Sequence, residues 1–432
     1  MSTQQPLHET DSIIAPIEAA SGLRVLVLVG GYLPGYKYGG PIRSVSNLVA
    51  AIGEEFHFRI VTLDRDLGDK LPFPGIVVNR WLRVGYAEVM YLRPGFPGLL
   101  GMSALLRSVD RDTVLYLNSF CSWRFSILAL IMRWLKLCRL RCVVLAPHGE
   151  FSSGALKFKH RRKLFYLRIA RWLGLYRGLI WHAHSVFEAA DISRQFPLVR
   201  HIDVAGVTPD SKMKIGGVGT SAVVATTPDI ASMPRPDAPN RQPKGRGQLR
   251  VVFLSRFSQM KNLAGALRMM QGVSGDVSFD LYGPVEDAEY WEECQGLIAE
   301  LSANIRAQYW GEIAHEKVAQ VFAEHDVLLL PTQGEAFGHV IGEALASGCP
   351  VLISDQTPWR NLETLGVGWD LPLCEPKRFR DALQQCVDMG SEEHAAMSRR
   401  AAAFGTSRAN DPAVIEQNRA LFRLALRMAT LE

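Results

Sequence analysis

The chain has 432 residues, enough for two or three domains with full cores, and its 48% hydrophobic and 21% charged residues exclude a mainly disordered or fibrous protein. The formal net charge of +5 hides an asymmetry: residues 23–230 hold 28 Lys or Arg against 14 Asp or Glu, whereas residues 231–432 hold 20 against 26. The seven cysteines are odd in number, irregularly spaced and without a Cys-x-x-Cys pair, which speaks for reduced thiols rather than a disulfide framework.

Residues 1–22 carry three acids and no Lys or Arg, and they lack the basic start and apolar core of a secretory signal; they read as a flexible tail. No run approaches the ~18–20 uncharged apolar residues of a membrane span. The nearest, Phe125–Met132, stops at Arg133. Short apolar runs then alternate with segments of helical length. In the first half they are Arg24–Val29, Phe58–Leu63, Glu88–Leu92, Thr113–Leu117, Cys142–Ala146, Leu179–Ala183 and Ala222–Thr226. In the second they are Arg250–Leu254, Val277–Tyr282, Asp326–Leu330 and Pro350–Ser354. Runs apolar on both faces and separated by room for a helix predict parallel sheets covered on both sides, hence two doubly wound α/β domains. Gly206–Gly219 reads as a surface loop, and the Pro- and Gly-rich stretch that starts near Pro228 reads as a linker. The expected division is a tail at 1–22, a first domain at 23–230, a linker at 231–247, a second domain at 248–410 and a helix at 411–432 that returns to the first domain.

Ligands of open parallel sheets bind beyond the carboxyl ends of the strands, so the cleft between two such domains is the expected site. The segment 331–354 supplies a strand end, a glycine-containing loop with Glu335, and a helix that carries Glu343. Backbone N–H groups at Phe337, Gly338, His339 and Val340 open that helix and suit phosphate oxygens, while the two carboxylates can bind hydroxyls on either side. Beyond the run Arg250–Leu254, Arg256 and Lys261 fit a diphosphate clamp, though two ordinary surface cations fit the residues alone somewhat better. Tyr282-Gly283-Pro284 fits either a plain turn or a backbone approach to a ligand.

Together, Arg256 and Lys261, the turn at Gly283, and Glu335 and Glu343 with seven residues between them resemble the GT-B glycosyltransferases of the family 4, group 1 type. The first half is similar too: residues 25–49 resemble the family's first strand, glycine-rich loop and first helix, with Gly39-Gly40 at the loop's end. Residues 146–151 (APHGEF) resemble its His-Gly segment, and residues 182–192 the segment before the last strand of the first domain. Two departures stand out: TTPDIASMP where members commonly carry an Asn-Gly turn, and His339 where an apolar residue is more usual.

The resemblance implies two Rossmann-like domains facing a cleft and a retaining transferase that uses a UDP- or GDP-linked sugar as substrate, with no metal and no cofactor. By that analogy Glu343 holds the ribose, Arg256 and Lys261 neutralise the departing diphosphate, Glu335 contacts the transferred sugar, and His148 supports it from the first domain. Gly39 and Gly40 let the first loop approach the phosphates. In the same family the first domain usually takes the acceptor, often a polyprenyl-diphosphate-linked glycan, which implies surface-polysaccharide assembly at the cytoplasmic membrane face.

Three other patterns read as structural. Asp64-Arg65-Asp66 has Asp-x-Asp spacing but reads as loop carboxylates. Residues 217–222 mimic a dinucleotide fingerprint without the strand and helix it needs. His182 and His184 read as polar side chains at a strand end rather than a metal pair. Residues 124–177, in contrast, hold 13 Lys or Arg and one acid, Glu150. Within them Lys157, Lys159, Arg161, Arg162 and Lys163 open a helix expected to be apolar on one face and basic on the rest, as at an anionic membrane surface. No nucleic-acid module accompanies the charge, so no nucleic-acid partner is expected. A sugar-nucleotide epimerase of the same fold and a non-catalytic nucleotide-binding protein are the alternative functions.

Overall fold

The computed structural model describes residues 23–152, 154–155, 160–202, 204, 222–232 and 243–431. The expected loop at Gly206–Gly219 and most of the linker lie outside these residues. The first sheet contains β1 (Leu23–Leu28), β2 (Phe56–Leu63), β3 (Trp81–Val84), β4 (Ala87–Leu92), β5 (Val114–Asn118), β6 (Val143–Ala146), β7 (Ile180–Ala183), β8 (Arg200–Ile202) and β9 (Val223–Thr226). Its order is β3-β4-β2-β1-β5-β6-β7-β9-β8, parallel throughout except for β3 against β4. The second sheet contains β10 (Gln248–Leu254), β11 (Asp276–Tyr282), β12 (Ile305–Gly311), β13 (Val327–Leu330), β14 (Val351–Ser354) and β15 (Gly368–Leu371). It is parallel, in the order β12-β11-β10-β13-β14-β15.

Central strands are apolar on both faces because both faces are covered. In β1, Val25, Val27 and Val29 enter one core while Leu26 and Leu28 enter another on the opposite side. The second domain packs around a single large cluster that includes Val251–Phe253, Val327–Leu330 and Val351–Ile353. In both sheets the chain reverses its winding direction beside one strand, β1 in the first and β10 in the second. Loops after these strands therefore open a crevice, and the crevice is where an open α/β sheet takes its ligand. Residues 29–40 follow β1 and residues 255–261 follow β10.

The helix Pro412–Leu431 closes the chain on the first domain. Its Ala420, Leu421, Phe422 and Ala425 are buried in the core formed by Val25, Phe56, Phe58 and Tyr116. Asn418 Nδ2 on this helix donates to Pro228 O at 3.0 Å and so ties it to the start of the crossing between domains.

The helix His160–Trp172 differs from the single apolar face expected of it. Leu167 and Ala170 are buried in the first-domain core, whereas Phe165 (68% exposed), Ile169 (39%) and Trp172 (82%) form a second apolar stripe that faces solvent. Residues spaced by three and four share a helix face, which groups these three. Lys157 and Lys159 lie outside the described residues; Arg161, Arg162 and Lys163 lie in the helix, with side chains outside what the structure describes. No helix among the described residues is long and apolar enough to cross a membrane.

Candidate active site

The site is assembled from strand ends. After β13 the chain turns through Glu335, and Gly338 (φ 80°) starts the helix His339–Ala346 with no side-chain cap. An uncapped start leaves N–H groups pointing into the cleft. Opposite it stands a second uncapped start, that of the helix Gly40–Ile52, whose flanking Gly39 has φ 70°. A Cβ on Gly40 would lie 4.0 Å from His339 Cδ2, so the two helix starts meet across the cleft. Both partial positive charges fall on one spot, an arrangement suited to an anion.

Lys261, in the turn Gln259–Lys261 after β10, donates to Glu335 Oε1, and both side chains are largely buried. Arg256 Nη1 is 3.0 Å from Glu286 Oε2 and is more exposed. Gly283, at the end of β11, has φ 136°, and a Cβ there would stand 1.9 Å from Ser255 O, so only glycine lets these two strand ends close together. Glu343 is largely buried on the helix His339–Ala346. Its Oε1 accepts from Ser232 Oγ at 3.3 Å and lies 3.9 Å from His315 Nδ1. Burial pushes its carboxyl above the usual carboxylate range, against the pull of Arg43, His339 and Ser232. The ring of Phe337 lies 4.9 Å from that of His339, and Val340 is partly buried against the second-domain core.

The first domain contributes His148 from the turn after β6. Its backbone is left-handed (φ 51°), and Gly149 follows at φ 79°. This kink is held by Glu188, which accepts from Gly149 N–H at 2.6 Å and from His184 N–H at 2.8 Å. His148 Nε2 is 2.9 Å from Asn118 Oδ1 at the end of β5. Burial holds the His148 imidazole neutral, with its pKa lowered to about 4, and pushes the Glu188 carboxyl up to about 7. A Cβ on Gly149 would be 3.4 Å from Ala336 N, which puts the His148 turn directly against the loop of Glu335.

Residues that strand-end reasoning passed over complete the site. Asp229, three residues beyond β9, is buried. Its Oδ2 accepts from Ser44 Oγ at 2.8 Å and lies 3.4 Å from His339 Nε2. Ser44 Oγ is itself 3.0 Å from His339 Nε2. His339 thus joins both domains through Ser44 and Asp229, which gives a place to the polar residue that departs from the family's pattern. The signal for Asp229 was available: it stands beyond a strand end like the other site residues, but its Pro-rich surroundings read as linker.

The remaining expectations sort cleanly. His182 is engaged on both ring nitrogens, by Tyr116 Oη at 2.9 Å and Thr227 Oγ1 at 2.6 Å. Asp66 accepts from the N–H groups of Tyr36 and Lys37 at 2.6 and 3.0 Å and so orders the first loop. Glu150 accepts from Ser119 Oγ at 2.6 Å and Cys121 N–H at 2.9 Å and holds the loop after β5.

Residues 234–404 match the family model described as "Glycosyl transferases group 1". A stretch of 122 residues is 26% identical to the UDP-N-acetylglucosamine--peptide N-acetylglucosaminyltransferase GtfA subunit of Streptococcus pneumoniae; it covers 27% of this chain and 23% of that protein, about a quarter of its length. Similar folds cover nearly the whole chain. Sucrose-phosphate synthase from Thermosynechococcus elongatus superposes with a TM-score of 0.64 at 17% identity, over 93% of this chain and 98% of that one. Anabaena HepE in complex with UDP-glucose superposes at 0.62 and 16%, over 93% and 99%. WaaG, a glycosyltransferase involved in lipopolysaccharide biosynthesis, superposes at 0.58 and 13%, over 92% and 98%.

Proposed function

We propose that this chain, which has the GT-B fold and matches the group 1 glycosyl transferases over residues 234–404, is a retaining glycosyltransferase. It moves a sugar from a UDP- or GDP-linked donor to a glycan or polyprenyl-diphosphate-linked acceptor in surface-polysaccharide assembly. One observation carries the reading: two uncapped helix starts, at Gly40 and His339, converge beside the Lys261–Glu335 pair and one turn from the largely buried Glu343.

The chemistry follows from where charge develops. As the sugar–phosphate bond breaks, negative charge gathers on the diphosphate, and fixed donors aimed at it stabilise the transition state. The N–H groups at Gly338, His339 and Val340, the N–H of Gly40, which the close backbone at Gly39 lets approach, and the cations Lys261 and Arg256 supply those donors. An incoming diphosphate competes with Glu335 for Lys261 and frees the Glu335 carboxylate to bind sugar hydroxyls. Neutral His148, oriented by Asn118, offers the sugar a hydrogen bond without adding charge. Glu343 takes the ribose hydroxyls. With fixed cations on the leaving group, transfer needs neither a metal nor a cofactor.

Three things favour the acceptor reading. The first domain is the basic one, its helix His160–Trp172 exposes an apolar stripe beside basic residues, and the similar WaaG acts in lipopolysaccharide biosynthesis. The protein then works at the inner face of the plasma membrane. HepE was solved with UDP-glucose, which favours a uridine donor. The test is a thermal-shift screen of UDP- and GDP-sugars followed by product analysis with a lipid-linked acceptor. We expect donor stabilisation, transfer with retained anomeric configuration, and loss of transfer in Glu335→Ala. Normal transfer by that variant overturns the site assignment.

A further inference from the structure

We propose that His148, His184 and Asp229 form a binding site for one divalent transition ion of the zinc class at the junction of the two domains. One ligand atom from each of the three lies within 4.8 Å of the others, and His184 and Asp229 are buried. The donor set, two imidazoles and a carboxylate, is one that zinc takes in open, three-ligand sites.

The geometry is half made. An ion bonded at ~2.0–2.2 Å to tetrahedral ligands holds their atoms ~3.3–3.5 Å apart. His184 Nδ1 already stands 3.3 Å from Asp229 Oδ1. Among the described residues, neither ring nitrogen of His184 has a hydrogen-bond partner, although both are buried. An unpartnered buried polar atom is costly, and a metal bond removes that cost. His148 completes the set from the cleft side. Its ring is stacked on that of His184 with centroids 4.7 Å apart and planes at 22°, so it has to pivot to aim its free nitrogen at the ion.

The surrounding residues support these ligands in the way metal-site neighbours do. Asn118 Oδ1 accepts a hydrogen bond from His148 Nε2–H at 2.9 Å, which keeps the proton on that nitrogen and leaves Nδ1 with the lone pair. Ser44 Oγ donates to Asp229 Oδ2, which leaves Oδ1 on the side of His184. Glu188 fixes the backbone of His184. An ion enters past His148, which is the partly exposed member of the three.

Occupation has a consequence that rests on the transferase reading: a His148 nitrogen bonded to the ion is withdrawn from the donor sugar, so the ion inhibits transfer. Binding itself does not depend on that reading. The full-length protein is stripped with a chelator, dialysed against Zn2+ and assayed for bound metal, with Co2+ as a spectroscopic probe. We expect one ion per chain and the intense visible absorption of four-coordinate Co2+. His184→Ala and Asp229→Asn should each weaken binding about 100-fold or more. His201→Ala, an exposed histidine outside the cluster, should leave it unchanged. Absence of stoichiometric binding, or equal binding by both cluster variants, overturns the proposal. Should His184→Ala fail to fold, near-isosteric Asp229→Asn and the Co2+ spectrum decide. Inhibition is scored separately, as Zn2+-dependent loss of donor binding reversed by chelator. A protein that binds Zn2+ stoichiometrically but transfers no sugar even after the metal is stripped refutes the transferase reading and leaves the metal site standing.

Discussion

At the scale of the residue, Lys261 and Glu335 define each other. Each is a largely buried charge whose cost is offset by the other, and in the proposed reaction the donor's diphosphate takes over Lys261. Lys261→Ala is expected to lower kcat/KM about 100- to 1000-fold, the range for removing one fixed donor from a developing anion. It should also lower Tm, because Glu335 is left unpaired. Adding Glu335→Gln should recover the Tm without the activity; recovery of both would show that the pair is structural only. Glu343 gives a pH signature. Burial raises its carboxyl above the usual range, and in the proposed ribose-binding role the carboxylate is the form that accepts both hydroxyls. As pH falls through that raised pKa the donor Kd should rise, and in Glu343→Gln the same dependence should flatten. A titration of donor affinity against pH checks both. These residues were legible because each stands at or just beyond a strand-end motif. Ser44, Asn118 and Asp229 were passed over: Ser44 lies inside a helix, whereas Asn118 and Asp229 stand at or beyond strand ends with no motif around them to mark them.

At the scale of the element, legibility followed burial. All eleven apolar runs read from the sequence coincide with strands; the four strands that were missed, β3, β8, β12 and β15, are the four sheet edges. An edge strand is covered less completely and loses the continuous apolar signature. Along β12, IRAQYWG, exposed positions alternate with more buried ones. Strand ends also show where glycine is required. Gly283→Ala drives a Cβ to 1.9 Å from Ser255 O at a φ of 136°, and should cost ~2–3 kcal/mol, read as a fall in Tm of several degrees. Gly39→Ala meets nothing within 4 Å and carries only the backbone cost, so its Tm should fall less than that of Gly283→Ala. The helix His160–Trp172 makes a prediction of the opposite kind. Phe165→Ser with Trp172→Ser removes exposed surface, so Tm should hold while sedimentation with anionic vesicles falls severalfold. Unchanged sedimentation would reject the membrane-facing role of this helix.

At the scale of the whole molecule, the near-neutral charge is the sum of a basic half, which in the proposed reaction faces the acceptor, and an acidic half, which in that reaction holds the donor by local cations and helix starts. The first half is not complete in its own stretch of sequence, because the last helix crosses back into its core. Phe422 is fully buried, 5.9 Å from Phe56, 6.0 Å from Phe58 and 5.3 Å from Tyr116, measured between ring centres. Replacing a buried Phe by Ala costs ~3–5 kcal/mol, and here the loss falls on the first domain although the residue follows the second in sequence. Deleting residues 412–432 goes further. It bares the face of the first core that includes Phe56, Phe58 and Tyr116, and removes Asn418 from Pro228, where the chain leaves that domain. The second domain keeps its own core, which contains no residue beyond Ala401. Limited proteolysis of the truncated chain should therefore cut within residues 23–226 and spare 248–409. A truncated chain with both regions resistant would mean that the first domain holds its core without the helix. Cleavage confined to the first domain would show that the C-terminal helix stabilises the acceptor half while the donor half stands alone.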